Sequence, residues 1–312
     1  MSKKLLIVFG ATGNQGGSVA NFVLDDPKLS AQYSVRAVTR SASNPKAQAL
    51  KSKGGEIIEA DLDNASSLSV AVTGAHTVFA MTTTSLTGST RAIETAQAKA
   101  LCKEIIAAGA QYLIWSTLPH MAAISNSKLN VNHFDTKAEI EQYIRSLPIK
   151  SAFYAPGSFM QNFTTRLMPP MPSPAKDGTY VFATLCNPDT QVPLIDASNV
   201  GSWIAAILEE PERFEGKTLA VAQGIYTWTE IAEIVSKATG KTITYQQVPD
   251  DVFRSWMPEG VKDDLTAMYQ AYRDYGYYGE STKEDVEFGL RQAKGQLTTL
   301  EAFSKREKIN FQ

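Results

Sequence analysis

Only two cysteines, Cys102 and Cys186, occur in 312 residues, too few for a disulfide framework and pointing to a reducing compartment. Histidine is nearly as rare: His76, His120 and His133 show no metal-ligand spacing, so no metal is expected. No apolar run approaches the ~20 residues that span a membrane, and the N-terminus enters a strand without a signal-peptide pattern. Charge of one sign is lacking as well. The 30 basic and 32 acidic side chains leave a formal net charge of −2, and no basic run suggests a nucleic-acid-reading arm. Neither direct nucleic-acid binding nor membrane association is expected; the expected compartment is the cytoplasm, with the nucleus also open. Repeats and low-complexity stretches are missing too. What remains, 43% hydrophobic and 20% charged residues, is a globular composition with enough chain for one large core or two modest ones.

The most informative stretch is Gly10-Ala11-Thr12-Gly13-Asn14-Gln15-Gly16, set directly behind the apolar run Leu5-Leu6-Ile7-Val8-Phe9. Such a run reads as a buried strand of a parallel sheet. Ser18-Val19-Ala20-Asn21-Phe22-Val23-Leu24 then carries apolar residues at helical spacing. Strand, glycine-rich turn and helix make the first half of a dinucleotide-binding unit. Gly10 allows a sharp turn, Gly13 lets the backbone approach a pyrophosphate, and Gly16 lets the helix pack close to the strand. The helix N-terminus offers free N–H donors to the phosphates. A second strand, 34–39, ends at Arg40, where the residue beside the adenosine ribose belongs. A carboxylate there would accept from the 2′-hydroxyl of NAD, whereas a guanidinium pairs with a 2′-phosphate. NADP(H) is the expected cofactor.

Further strands are predicted at 56–60, 75–80, 112–115 and 149–154. They alternate with helices that include 89–108, closed by Gly109, and 133–145. This alternation implies an α/β fold, a Rossmann-type doubly wound parallel sheet with ligands at the C-terminal ends of its strands. The dinucleotide-binding domain is expected over 1–154, with returning segments near 192–208 and 241–251. A smaller, mostly helical α+β domain over 155–312 is expected to interleave with it and close the cleft. There, four prolines between Leu167 and Pro174 exclude a continuous helix and leave an ordered connector or a lid. Asp196-Ala197-Ser198-Asn199 caps a helix, 217–222 and 242–248 read as strands, and Thr227-Trp228-Thr229-Glu230 has capping-box spacing. The crowded Tyr269, Tyr272, Tyr275, Tyr277 and Tyr278 make either packed core or the aromatic wall of a ligand cleft. Cys102 reads as core; Cys186 falls in a loop, with nothing near it to lower its pKa.

Five segments carry a resemblance: Gly10 to Gly17, Val38-Thr39-Arg40, Ala60-Asp61, His133-Phe134-Asp135-Thr136-Lys137, and Tyr154 to Asn162. In that order, and with Leu300-Glu301-Ala302-Phe303, they make the chain similar over essentially its whole length to the NmrA-like family of atypical short-chain dehydrogenase-like proteins. Within that family it most resembles the NADP(H)-sensing branch. The resemblance implies that Gly10, Ala11, Thr12, Gly13, Asn14 and Gln15 hold the pyrophosphate and Arg40 the 2′-phosphate. It places Asp61 and Leu62 beside the adenine and Thr82, Thr83 and Thr84 along the cofactor. Lys137 and Phe159, Met160, Gln161 and Asn162 would face the nicotinamide. Two positions depart from the family: Ser41-Ala42-Ser43-Asn44 stands where a basic cluster is common, and Gln161 where glutamate is common.

Ordinary short-chain dehydrogenases use Tyr-x-x-x-Lys, the phenol as proton donor and the lysine as ribose ligand. Here His133 and Lys137 hold that spacing, on one helical face, and Ser116 stands near the position of the assisting serine. Lys137 is expected to bind ribose; His133 is a candidate acid and otherwise a packing residue. The missing tyrosine favours a redox-sensing regulator that changes its protein partner with its cofactor. The alternative is an NADPH-dependent reductase of a small carbonyl, quinone or enone. A monomer or a homodimer fits either reading.

Overall fold

Short runs of aliphatic residues set the central layer of the molecule, which a computed structural model describes for residues 2–84, 90–165 and 167–311. Six strands follow in chain order: β1 (Lys4–Val8), β2 (Tyr33–Thr39), β3 (Glu56–Glu59), β4 (Thr77–Ala80), β5 (Tyr112–Ser116) and β6 (Lys150–Pro156). With the Thr218–Val221 strand they make one seven-stranded sheet, ordered Thr218–Val221, β6, β5, β4, β1, β2, β3. Every neighbouring pair in it is parallel. β4 and β5 bury every residue, as strands covered on both faces must, while the edge strand β3 exposes Glu56 and Glu59. Helices Asn14–Asp25 and Val200–Glu209 cover one face through Val19, Val23, Trp203 and Ile204. Helices Thr90–Ala107 and Asn132–Arg145 cover the other through Leu101, Ile105, Ile140 and Ile144. The order of strands reverses between β1 and β4, which opens a crevice at their C-terminal ends.

Past β6 the chain builds two three-stranded sheets, one of Ser158–Phe159, Gln191–Ile195 and Gly224–Thr227, the other of Met171–Pro172, Tyr180–Thr184 and Ile243–Gln247. A separate core around Trp228, Phe182, Tyr269 and Phe303 joins them to the C-terminal helices. Of the two segments expected to return to the dinucleotide-binding domain, 192–208 does so through its helix, Val200–Glu209, which packs on the large sheet, while its strand joins a small one. The strand within 241–251 pairs with Tyr180–Thr184, so the chain returns instead through Thr218–Val221. Burial explains the choice: Leu219, Ala220 and Val221 are buried, whereas Thr244, Gln246 and Gln247 are exposed and suit a surface sheet.

Local signals behave as their chemistry requires. Thr227 and Glu230 form the reciprocal capping box of helix Trp228–Thr239. Gly109 takes φ +74° behind Thr90–Ala107, whose predicted first residue, Ser89, lies outside the described residues. The proline segment is an ordered connector: Met171 and Pro172 pair with Val181 and Tyr180. Burial pushes both the Cys102 and Cys186 thiols up to about 12. Among the described residues no helix is long and apolar enough to cross a membrane.

Candidate functional site

The crevice begins at the glycine turn. Gly10 takes φ +62°, a conformation that favours glycine, and its carbonyl accepts the Gly13 N–H at 2.8 Å. Gly13 caps the Asn14–Asp25 helix without a side chain, so the first helical N–H groups have no side-chain acceptor there. Gly16 is buried beneath the turn, where a Cβ would stand 2.4 Å from the Phe9 carbonyl oxygen. It permits close packing and does not border the crevice. Ala11 does not border it either: its N–H bonds the Val38 carbonyl, and it lines a groove behind the turn that meets the crevice only at Gly13 and Asn14.

A cleft of about 530 Å³ runs from this turn across the ends of β2 and β3. Gly10, Thr12, Gly13, Asn14 and Gln15 border it, as do Arg40, Asp61 and Leu62. Arg40 is exposed and makes no hydrogen bond or ion pair among the described residues. Gln97, Asp63 and Met81 also border the cleft and were not expected there from the sequence. Gln97 Nε2 donates to Asp63 Oδ1 at 2.8 Å, which leaves its buried carbonyl oxygen unpartnered among the described residues.

Gln15, Met81, Thr83 and Phe159 also border a second space of about 400 Å³, so the two adjoin. This chamber lies between the large sheet and the C-terminal half. Thr82, Thr83, Thr84, Ser116, His133, Lys137, Phe159 and Asn162 line it on one side. Trp228, Met268, Tyr269, Tyr272 and Tyr277 line the other. The tyrosines therefore serve as packing and wall together: Tyr272 and Tyr277 rings lie 4.8 Å apart, and Tyr277 OH donates to the Pro156 carbonyl. Tyr278 bonds the Ala155 carbonyl, and neither it nor Tyr275 lines the chamber.

The lysine is not free. Lys137 Nζ donates to Glu94 Oε2 at 2.5 Å, to the Thr82 carbonyl at 3.1 Å and to the Thr82 hydroxyl at 3.4 Å. Glu94 is wholly buried and also accepts from the Thr82 and Thr90 hydroxyls. A glutamate inside a predicted helix reads as a surface residue; only the packing of that helix on Asn132–Arg145 makes it a counter-ion. Ser116 Oγ donates to Gln15 Oε1 at 2.9 Å, which ties β5 to the glycine turn. His133 Nδ1 bonds Asp264 Oδ2, while Asp264 Oδ1 accepts the Asn132 N–H.

Two expected nicotinamide neighbours point elsewhere. The segment Met160–Thr164 is a 3₁₀ turn, whose successive side chains leave about 120° apart. Phe159 and Asn162 thus reach the chamber, but Met160 is buried in the second core and Gln161 faces the groove behind the glycine turn. Gln161 Nε2 donates to Asp196 Oδ1 at 2.7 Å, and its Oε1 accepts the Ala197 N–H at 3.0 Å. Burial pushes the Asp196 carboxyl up, yet the Arg306 guanidinium with the Ser198 and Gln161 donors outweighs it and holds the group below its usual range. A glutamate at 161 would meet that buried carboxylate, which the amide satisfies.

A sequence model of the NmrA-like family matches residues 2–304. An NmrA-like family domain-containing protein of Dictyostelium discoideum is 30% identical over 319 residues, covering 100% of this chain and 99% of its own. An NmrA-like family domain-containing oxidoreductase of Aspergillus campestris, cpsB, is 29% identical over 83% of this chain and 80% of its own. Among solved structures, the negative transcriptional regulator NmrA in complex with NADP superposes with TM-score 0.79 at 22% identity, over 98% of this chain and 95% of its own. The triphenylmethane reductase of Citrobacter sp., complexed with NADP(H), gives 0.75 at 21%, over 97% and 99%. Those two likenesses are of fold.

Proposed function

The chain belongs to the NmrA-like family, and from there we propose that it binds NADP(H) and reduces a small, largely apolar acceptor in the aromatic chamber. The adjoining of the cleft at the glycine turn and that chamber, across Gln15, Met81, Thr83 and Phe159, carries the reading. At one end stand an unpaired guanidinium, Arg40, and a helix N-terminus capped by a glycine, which suits a phosphorylated dinucleotide. The fold neighbours titled as complexes with NADP and NADP(H) agree with it. Asp61, Leu62 and Gln97 would border the adenine. Thr82, Thr83, Thr84, Ser116 and Phe159 would border the nicotinamide, with Asn162 deeper in the chamber. Bound NADPH supplies a hydride. The protein's part is to orient it, exclude water with Trp228, Tyr269, Tyr272 and Tyr277, and supply a proton.

A redox sensor remains the second reading. The absent phenol and the engagement of Lys137 by Glu94 and Thr82 favour it, and its occupant of interest would be a protein partner. Regulation by such a partner and a cytoplasmic or nuclear setting belong to this proposal.

The test is NADPH oxidation by the pure protein against quinones, aldehydes and enones, beside titration of each cofactor form. Turnover on the order of 1 s⁻¹ or faster supports the reductase; none on any acceptor, with tight NADP(H) binding, leaves the sensor. Arg40 sets a separate expectation. NADP(H) should bind more tightly than NAD(H) by the ~1.5–3 kcal/mol of a hydrogen bond to a charged group. Arg40→Ala should erase most of that difference and spare NAD(H). Equal calorimetric affinities of the unaltered protein for both cofactors would sink the assignment.

A further inference from the structure

We propose that His133 donates the proton that completes substrate reduction and that Asp264 positions it; this rests on the reductase reading. His133 lines the chamber, with 15% of its side chain exposed, one helical turn from Lys137. Its Nδ1 is taken by Asp264 Oδ2, and the other carboxylate oxygen is fixed by the Asn132 N–H. A carboxylate in that place only accepts, so it selects the tautomer with hydrogen on Nδ1. Nε2 has no partner among the described residues and is the nitrogen left to exchange a proton. The Phe134 ring meets the imidazole edge-on at 4.9 Å.

The two other residues of the expected catalytic set are engaged. Lys137 has its donors on Glu94 and Thr82, and Ser116 donates to Gln15. Burial pushes the Tyr269, Tyr272 and Tyr277 phenols up, and Tyr277 is committed to the Pro156 carbonyl. Asp264 lies in the first turn of helix Lys262–Tyr275, so the pair links the C-terminal half to helix Asn132–Arg145 of the sheet domain.

The step balances. Hydride, two electrons with one proton, reaches the carbonyl carbon of an aldehyde, and the broken π pair moves to oxygen. The imidazolium Nε2–H gives its proton to that oxygen, forming an alcohol, NADP⁺ and neutral imidazole. Solvent restores the proton to the imidazole, which is 15% exposed.

Two probes separate proton delivery from hydride transfer. trans-Cinnamaldehyde needs both; N-methylacridinium, already a cation, needs hydride alone. Both rates are measured above background for the full chain and for His133→Gln, Asp264→Asn and Asp264→Glu. The ratio of the two rates within each variant cancels any loss of folded protein. His133→Gln should lower the cinnamaldehyde-to-acridinium ratio by the ~10²–10⁴-fold typical of general-acid loss. Asp264→Asn should lower it in the same direction, by less, and Asp264→Glu should recover part. An unchanged ratio, whether both rates fall together or neither does, overturns the proton role and leaves the reductase reading standing. Acridinium reduction by the unaltered protein without cinnamaldehyde reduction does the same. If the unaltered protein reduces neither probe and no acceptor of the wider panel, the reductase reading fails and the proposal falls with it.

Discussion

Glu94→Ala should be among the most destabilising single substitutions in this chain. It would leave the Lys137 ammonium, about one-tenth exposed, beside the Thr82 carbonyl and hydroxyl and no counter-charge. Breaking a buried pair from one side costs about 3–5 kcal/mol, because desolvation of the surviving charge is no longer offset. Lys137→Met alone should cost in the same range, since Glu94 is wholly buried. Replacing both together, Glu94→Leu with Lys137→Met, should recover much of the loss, as apolar replacement of a buried pair is often close to neutral. Thermal unfolding of the three variants checks this. A Glu94→Ala midpoint equal to that of the unaltered protein would show that Lys137 reaches water through the chamber.

Gly13→Val and Gly16→Val should fail in different ways. A Cβ at Gly13 has the Gly10 carbonyl oxygen as its nearest neighbour, at 3.2 Å, and Gly13 sits at φ −89°, open to any residue. The fold should survive. The branched side chain would occupy the space of the pyrophosphate, so NADPH affinity should fall by roughly 10²-fold or more, ~2.8 kcal/mol. A Cβ at Gly16 would stand 2.4 Å and 2.5 Å from the backbone oxygens of Phe9 and Gly10, atoms that cannot rotate away. Gly16→Val should lower the unfolding midpoint, with overpacking costs of ~1–3 kcal/mol or above. Fluorescence titration with NADPH, run beside melting, separates the two. Retained NADPH binding in a folded Gly13→Val would place the phosphates elsewhere.

Legibility in the sequence followed the range of the interaction. The strand at Lys4–Val8, the turn from Gly10 and the helix from Asn14 are contiguous, so their periodicity and glycines could be read directly. Arg40 was legible for the same reason, being the residue after a predicted strand. The course of 241–251 was not: a half-polar strand pairs wherever an edge is free, and Tyr180–Thr184 offered one. Met160 and Gln161 were misplaced because nothing in the residues themselves marked a 3₁₀ turn, in which neighbours point to different sides.

By itself, then, the sequence determined the parallel sheet, the glycine turn that opens its crevice, and the family, because these depend on residues adjacent in the chain. Tertiary structure alone decided what the site's charged groups do. Glu94 meets Lys137 across 43 residues and Asp264 meets His133 across 131, and no local pattern marks either carboxylate as a partner. Burial made the first a counter-ion, since an isolated ammonium in that position would be costly. Docking of helix Lys262–Tyr275 made the second an orienting group for the imidazole. The same docking turned scattered tyrosines into the wall of a chamber.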